Sequence, residues 1–173
     1  MFVERMIVMS KRTFEIQKVV VVKEKLAEYE AFKEPVKCSA DIARISRELN
    51  IDISAEELFC MFCINAKGQI VAFHEVSHGD LCSSTTHPRE IFKRAILNNA
   101  GSMIFVHNHP SGDPEPSEMD VETTKRLVEC GDMLGIPVLD HIILGEDEYI
   151  SMKAKGRAYE KKSVNNEEEI LLW

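Results

Sequence analysis

The stretch Val106-His107-Asn108-His109-Pro110-Ser111-Gly112-Asp113-Pro114-Glu115-Pro116-Ser117-Glu118-Met119-Asp120 gathers residue types that bind metal ions. His107 and His109 are two apart at the end of an apolar run, and in extended backbone such residues project to one side. Two imidazoles on one side make a clamp for a divalent cation. Asp120 follows Ser117 by three residues, where a loop returning over the strand end would deliver a carboxylate to the same point. Two histidines and one carboxylate leave one corner of a tetrahedral zinc ion open, the arrangement of a catalytic site rather than a structural one. A plainer reading covers part of this: Ser117-x-x-Asp120 is close to a capping box, with Ser117 accepting from a backbone N–H and Asp120 complementing the helix dipole. It leaves the paired histidines unexplained. The metal reading therefore stands ahead, with His107, His109 and Asp120 as ligands of Zn2+.

The same residues, His107-x-His109-Pro110-Ser111-Gly112 and then Pro116-Ser117-x-x-Asp120, with ten residues between the second histidine and the aspartate, resemble the signature of the JAMM (MPN-plus) zinc metalloproteases. His87-Pro88-Arg89-Glu90-Ile91-Phe92-Lys93 and Leu139-Asp140-His141-Ile142-Ile143-Leu144-Gly145 resemble further segments of the RadC-like proteins of that family, and the likeness runs from about Ser54 to Gly156. The resemblance implies a JAMM/MPN (cytidine-deaminase-like) three-layer sandwich, with zinc held by His107, His109 and Asp120. It implies that Ser117 helps to hold the catalytic water or the oxyanion, and it requires an upstream glutamate as general base. Glu75, in His74-Glu75-Val76-Ser77-His78-Gly79, matches the family's Glu-x-x-x-Gly segment. On an alternating strand Glu75 shares a face with Val71 and Phe73, so partial desolvation and a raised pKa are expected. Its competing reading is a salt-bridged strand residue, and Glu90 is the second candidate. The implied reaction is hydrolysis of a peptide or isopeptide amide in a protein or peptide substrate.

Other chemistries fit less well. A zinc nucleoside deaminase would need H-x-E and P-C-x-x-C ligands, which the sequence lacks. The letters of His107-Asn108-His109 coincide with the name of the HNH nucleases, whose residues are dispersed rather than a tripeptide. The rival from another class is a non-catalytic MPN-fold interaction module associated with DNA repair, but such a module would have no reason to keep all four of His107, His109, Ser117 and Asp120. Direct nucleic-acid binding is disfavoured by a net charge of −8 and a pI near 5.3. No helix-hairpin-helix segment is recognised ahead of the domain. Asp140 and His141 carry two readings, an outer partner for a ligand histidine and an ordinary buried hydrogen-bonding role.

The elements that must position these groups follow from periodicity and turn chemistry. A strand is expected over Thr13 to Lys23, a helix from Glu24 to Lys33, and a helix from Ala40 to Leu49 capped by Ser39 and stopped by Asn50. Strands at Glu57 to Asn65 and Gln69 to Ser77 flank the turn Asn65-Ala66-Lys67-Gly68. A helix opens at His87-Pro88 and runs to about Asn98, a strand covers Ser102 to Val106, and a long helix runs from Ser117 to Leu134 and stops at Gly135. Strands at Pro137 to Leu144 and Tyr149 to Met152 complete an α/β fold with a mixed β-sheet flanked by helices.

In domain terms, 1–50 is an N-terminal strand and helices packing on or extending the core, 51–157 the RadC-like domain, and 158–173 an acidic extension. The 173 residues, 45% hydrophobic, suit one core and one site. The five cysteines are scattered, and Cys60 and Cys63 lie in a run that reads as a buried strand, which sends them to opposite faces and not to one metal. With no signal-peptide pattern and no apolar run of bilayer length, a cytoplasmic protein without a membrane partner is expected.

Overall fold

The computed structural model describes residues 34–79 and 87–159. The expected strand at Thr13 to Lys23, the helix that follows it, Cys82 and the tail from Glu160 lie outside the described residues.

Two strands are buried at every position, and both lie inside the sheet. Strand β1 (Leu58–Ile64) and strand β3 (Ser102–Asn108) are buried throughout, as strands covered on both faces must be. The remaining strands are β2 (Ile70–His78), β4 (Val138–Leu144) and β5 (Tyr149–Ser151), and the five-stranded sheet has the order β2-β1-β3-β4-β5. β1 is antiparallel to β2 and to β3, β4 is antiparallel to β5, and β3 and β4 are parallel. A parallel pair needs a crossover. The helix α3 (Glu118–Leu134) provides it, following α1 (Ser39–Glu48) and α2 (Pro88–Leu97) in the chain.

The helices cover the two faces. Ile42, Ala43 and Ile45 of α1 pack with Cys60, Phe62, Ile64, Val106 and Ile142 on one side. On the other, Ile91, Phe92 and Ala95 of α2 and Leu127 of α3 pack with Phe59, Met61, Cys63, Met103 and Phe105. The expected mixed sheet between helical layers is thus what the chain forms. Cys60 and Cys63 fall on opposite faces, and burial pushes their thiols up to about 12 and about 11. They are inert parts of the core.

Local chemistry sets the element ends. In the β1–β2 turn the Asn65 side-chain oxygen accepts from Lys67 N at 2.8 Å and Gln69 N at 3.0 Å, while Gly68 takes a φ of 79° that favours glycine. Helix α1 begins one residue earlier than expected. Its N-cap is Cys38 rather than Ser39, because the Asp41 carboxylate reaches back to accept from Cys38 N and Lys37 N. Asn50 follows the helix at a φ of 60°, the left-handed stop its type suggested. Pro88 opens α2 in its first turn, where the missing N–H costs nothing, and the His87 ring adds a cap by accepting from Arg89 N at 3.1 Å. Among the described residues no helix is long and apolar enough to cross a membrane.

Helix α3 is held against the start of β4 by Gly131. A Cβ there would stand 2.7 Å from the Ile136 carbonyl oxygen and 3.3 Å from Val138 N, backbone atoms that cannot swing away. Gly131→Ala should destabilise the protein by about 1–2 kcal/mol, the overpacking cost exceeding the gain in helix propensity. Urea denaturation would show a lowered midpoint; an unchanged or raised midpoint would mean that α3 is free to move off β4.

Candidate metal centre

The parallel strands β3 and β4 end side by side, and the chain beyond a parallel strand's C-terminal end is where α/β sheets place their sites. His107 is the penultimate residue of β3, and His109 N extends the ladder by donating to Leu144 O at 2.9 Å. The chain then turns sharply: Gly112 N donates to His109 O, and Glu146 N donates to Gly112 O at 3.1 Å. Gly145 makes the close approach possible, since a Cβ there would collide with the Gly112 carbonyl and stand 2.7 Å from Pro114 Cδ. This loop leads to Ser117, the N-cap of α3. Ser117 N and Ser117 Oγ both donate to Asp120 Oδ2 at 2.7 Å, and Asp120 N donates back to Ser117 Oγ at 3.2 Å. The capping box and the delivery of the carboxylate are therefore the same structure.

The three expected side chains converge. His107 Nε2 lies 3.0 Å from His109 Nε2 and 3.3 Å from Asp120 Oδ1, and His109 Nε2 lies 3.5 Å from Asp120 Oδ2. Donors each about 2.0–2.1 Å from a tetrahedral zinc ion would stand roughly 3.3 Å from one another. The donor set and its spacing therefore fit such an ion. His109 Nδ1 donates to the Asp113 carbonyl at 2.7 Å, so in the neutral ring a bare Nε2 lone pair turns inward. That lone pair and a carboxylate confront each other, and only a cation between them, a proton or a metal ion, reconciles them. His107 and Asp120 are buried and His109 is half-buried, so water screens the group poorly.

Titration shifts follow from this packing. Burial above all, and then His141 beside it, hold His107 well below the usual histidine range. The hydrogen bond with Asp120 raises His109, helped by the Asp113 carbonyl and the charge of Glu57 against its partial burial. For Asp120 burial is the largest influence and acts upward, but His109, His107 and Ser117 together outweigh it and hold the carboxyl well below its usual range.

The other expected residues divide. Ser117 stands at the centre, with its hydroxyl proton committed to Asp120. Glu75 is not brought there. It pairs with Cys60, which pairs with Val106, so all three share the face opposite to that of neighbouring His107. Its side chain is 55% exposed and contacts the His78 ring at 2.9 Å, so the expected desolvation does not occur. The alternation that put Glu75 with Phe73 holds, but that face is the α1 side of the sheet. Glu90 is engaged by Lys93 and Arg89 on α2. Asp140 accepts from His141 N, Ser151 Oγ and Lys153 N, tying β4 to β5, and bonds no ligand histidine. His141 does: its Nε2 lies 2.8 Å from His107 Nδ1.

One acidic residue that the sequence reading passed over lies on the correct side. Glu57 precedes β1 and stands two residues before Phe59, whose ladder partner is His107, so the alternation carries it to the histidine face. It is half-buried, and its charge acts on His109. Asn108 fixes this stretch: its buried side chain accepts from Leu58 N at 2.8 Å and donates to Ser54 O and Glu56 O. The parity of β1 was the available signal, because Glu57 is in step with Phe59 and Met61.

With this geometry in hand, likeness to known proteins becomes informative. Residues 36–157 match the model of the RadC-like JAB domain. The chain is 48% identical over 121 residues to a UPF0758 protein of Desulforamulus reducens, covering 70% of this chain and 53% of that one. It is 55% identical over 102 residues to a UPF0758 protein of Caldanaerobacter subterraneus subsp. tengcongensis, covering 59% and 44%. A UPF0758 protein of Bacillus cereus is 46% identical over 121 residues, covering 70% and 53%. The chain spans about half the length of these relatives. A matched segment that takes in the whole sheet, all three helices and the histidine–aspartate group places this chain in the RadC-like JAB domain family.

Proposed function

We propose that this protein is a JAMM-type zinc hydrolase that cleaves an amide bond, peptide or isopeptide, in a protein or peptide substrate. The observation that carries the reading is the convergence of two imidazole nitrogens and a carboxylate at tetrahedral spacing, buried at the C-terminal ends of two parallel strands. His107, His109 and Asp120 would hold the ion and leave one corner free. When bound, zinc supplies Lewis acidity, lowering the pKa of water toward neutrality and polarising a carbonyl oxygen.

The remaining roles belong to the chain. Glu57, on the His109 side of the group, is the general base that removes the attacking water's proton and returns it to the leaving nitrogen. This role passes to it from Glu75, whose exposure and opposite face keep it from the reacting atoms. Asn108 holds the segment that carries Glu57, and Ser117 fixes the Asp120 carboxylate; with its N–H and hydroxyl proton both spent there, it can accept from a water but has no proton left for an oxyanion.

Protein purified without added metal should contain about one zinc per chain, and His109→Ala should lose it. Elemental analysis that finds no divalent metal in the wild type would refute the centre. On a panel of peptide- and isopeptide-linked amides, Glu57→Gln should lower kcat by about 100- to 10,000-fold with zinc retained, while Glu75→Gln stays near wild type. Cleavage unaffected by Glu57→Gln would remove that residue from the mechanism, and a zinc-loaded wild type that cleaves no amide would sink the hydrolase reading.

A further inference from the structure

We propose that Thr124 and His141 are positioning residues for the metal centre: they form a hydrogen-bond chain of one polarity, fixed by the main-chain carbonyl of Asp120, that keeps the His107 proton on Nδ1 and turns its Nε2 lone pair inward. The inference rests on the reading of His107, His109 and Asp120 as metal ligands.

The chain begins at Thr124, which is buried on α3. Its Oγ1 lies 2.6 Å from Asp120 O and 2.6 Å from His141 Nδ1, with Met152 Sδ farther off at 3.4 Å. The hydroxyl has one proton to give. A carbonyl oxygen can only accept, and two oxygens this close need a proton between them, so Thr124 donates to Asp120 O, four residues back in the helix. Its lone pairs are then left for His141, which must donate from Nδ1.

His141 is fully buried against Phe59 and Phe105, both of which meet its ring edge to face. Enclosed by those rings, with a hydroxyl at one nitrogen and a second imidazole at the other, the ring is neutral. A neutral imidazole has a single N–H, and His141 spends it on Thr124. Its Nε2 is therefore an acceptor, and the atom 2.8 Å away, His107 Nδ1, must be the donor. His107 is likewise buried, and in the neutral form that ligates a metal its one proton is used there, so Nε2 is bare where it meets His109 and Asp120.

Run the other way, the chain would place a proton on His107 Nε2, inside the centre, and an ion would have to displace it. His109 reaches the same inward-facing state through a different acceptor, the Asp113 carbonyl. Two separate devices thus hold both imidazoles in one tautomer. The device that holds His107 is anchored on the backbone of the third ligand, Asp120, so the placement of α3 sets both the carboxylate and the orientation of His107.

Two measurements test this. Long-range proton–nitrogen NMR on the full chain with labelled imidazoles, metal removed, should show His107 and His141 each protonated at Nδ1 and bare at Nε2; a proton on His107 Nε2 overturns the proposal. Zinc affinity, read by competition with a chromophoric chelator, should fall about 10- to 100-fold in Thr124→Val and stay near wild type in Thr124→Ser, with circular dichroism confirming that both fold. Wild-type zinc binding unchanged in Thr124→Val, with His109→Ala unable to bind, overturns the relay and leaves the centre standing. A wild type that takes no zinc overturns the metal reading itself and the relay with it.

Discussion

Everything about this site depends on keeping electron-rich atoms close together that would otherwise separate. His109 Nε2, His107 Nε2 and the Asp120 carboxylate lie within 4.8 Å of one another, in surroundings dry enough that the repulsion of their lone pairs is felt. Such an arrangement persists only if each group is held from behind. His109 is held by the Asp113 carbonyl, His107 by His141, and Asp120 by two donors from Ser117 on one of its oxygens. The opposing faces of the same groups are left for a cation. The structure is preorganised for charge it must receive, and the N-terminus of α3 adds its own positive field beside the carboxylate.

The fold explains why the holding is firm. β3 and β4 run parallel and are buried at nearly every position, so the strand ends that support the two histidines cannot shift without disturbing the core. α3 returns from the loop to cross the sheet, and its tight packing at Gly131 fixes the register in which Asp120 arrives at its other end. The loop between them is short of freedom as well, because Gly145 admits the Gly112 carbonyl and the Pro114 ring at distances no side chain would allow. Backbone contacts of this kind resist small rotations that would misplace a ligand by an ångström.

Much of this could be read from residue types. The hairpin at Asn65 to Gly68, the proline-opened helix at Pro88, the glycine that ends α3 and the buried runs of β1 and β3 are local signals, and local physics decided them. The metal group was readable too, since parity placed His107 and His109 together and the Ser117–Asp120 spacing placed a carboxylate at a helix start. What failed was choosing among acidic residues in different strands. Glu75 satisfied its own strand's alternation, but alternation gives two faces without saying which one carries the centre, and that is settled only when β2 pairs with β1 through a bulge between Phe59 and Cys60. Glu57 was in step with Phe59 and Met61 at the head of the neighbouring strand, but that parity too names a face without saying that the centre lies on it. The Ser39 cap failed for a smaller reason: Asp41 could close the helix one residue earlier.

The groups that support or surround the candidate ligands come from Glu57, Asn108, Asp113, Ser117, Thr124 and His141, and all fall inside the matched span of 36–157. A centre whose supports all lie in one segment is assembled by that segment's own folding. The relatives are about twice as long as their matched regions, so in them this unit is one part of a larger chain. Assembly of the centre and the character of the surface around it are thus separable problems. The first is solved by buried hydrogen bonds with fixed polarity, which tolerate little change. The second falls to the loop before α3, where Ser111, Asp113 and Glu115 face solvent and substitution costs the fold little. Within such a family the candidate ligands and their supports are constrained by physics, whereas the exposed loop beside them is free to vary.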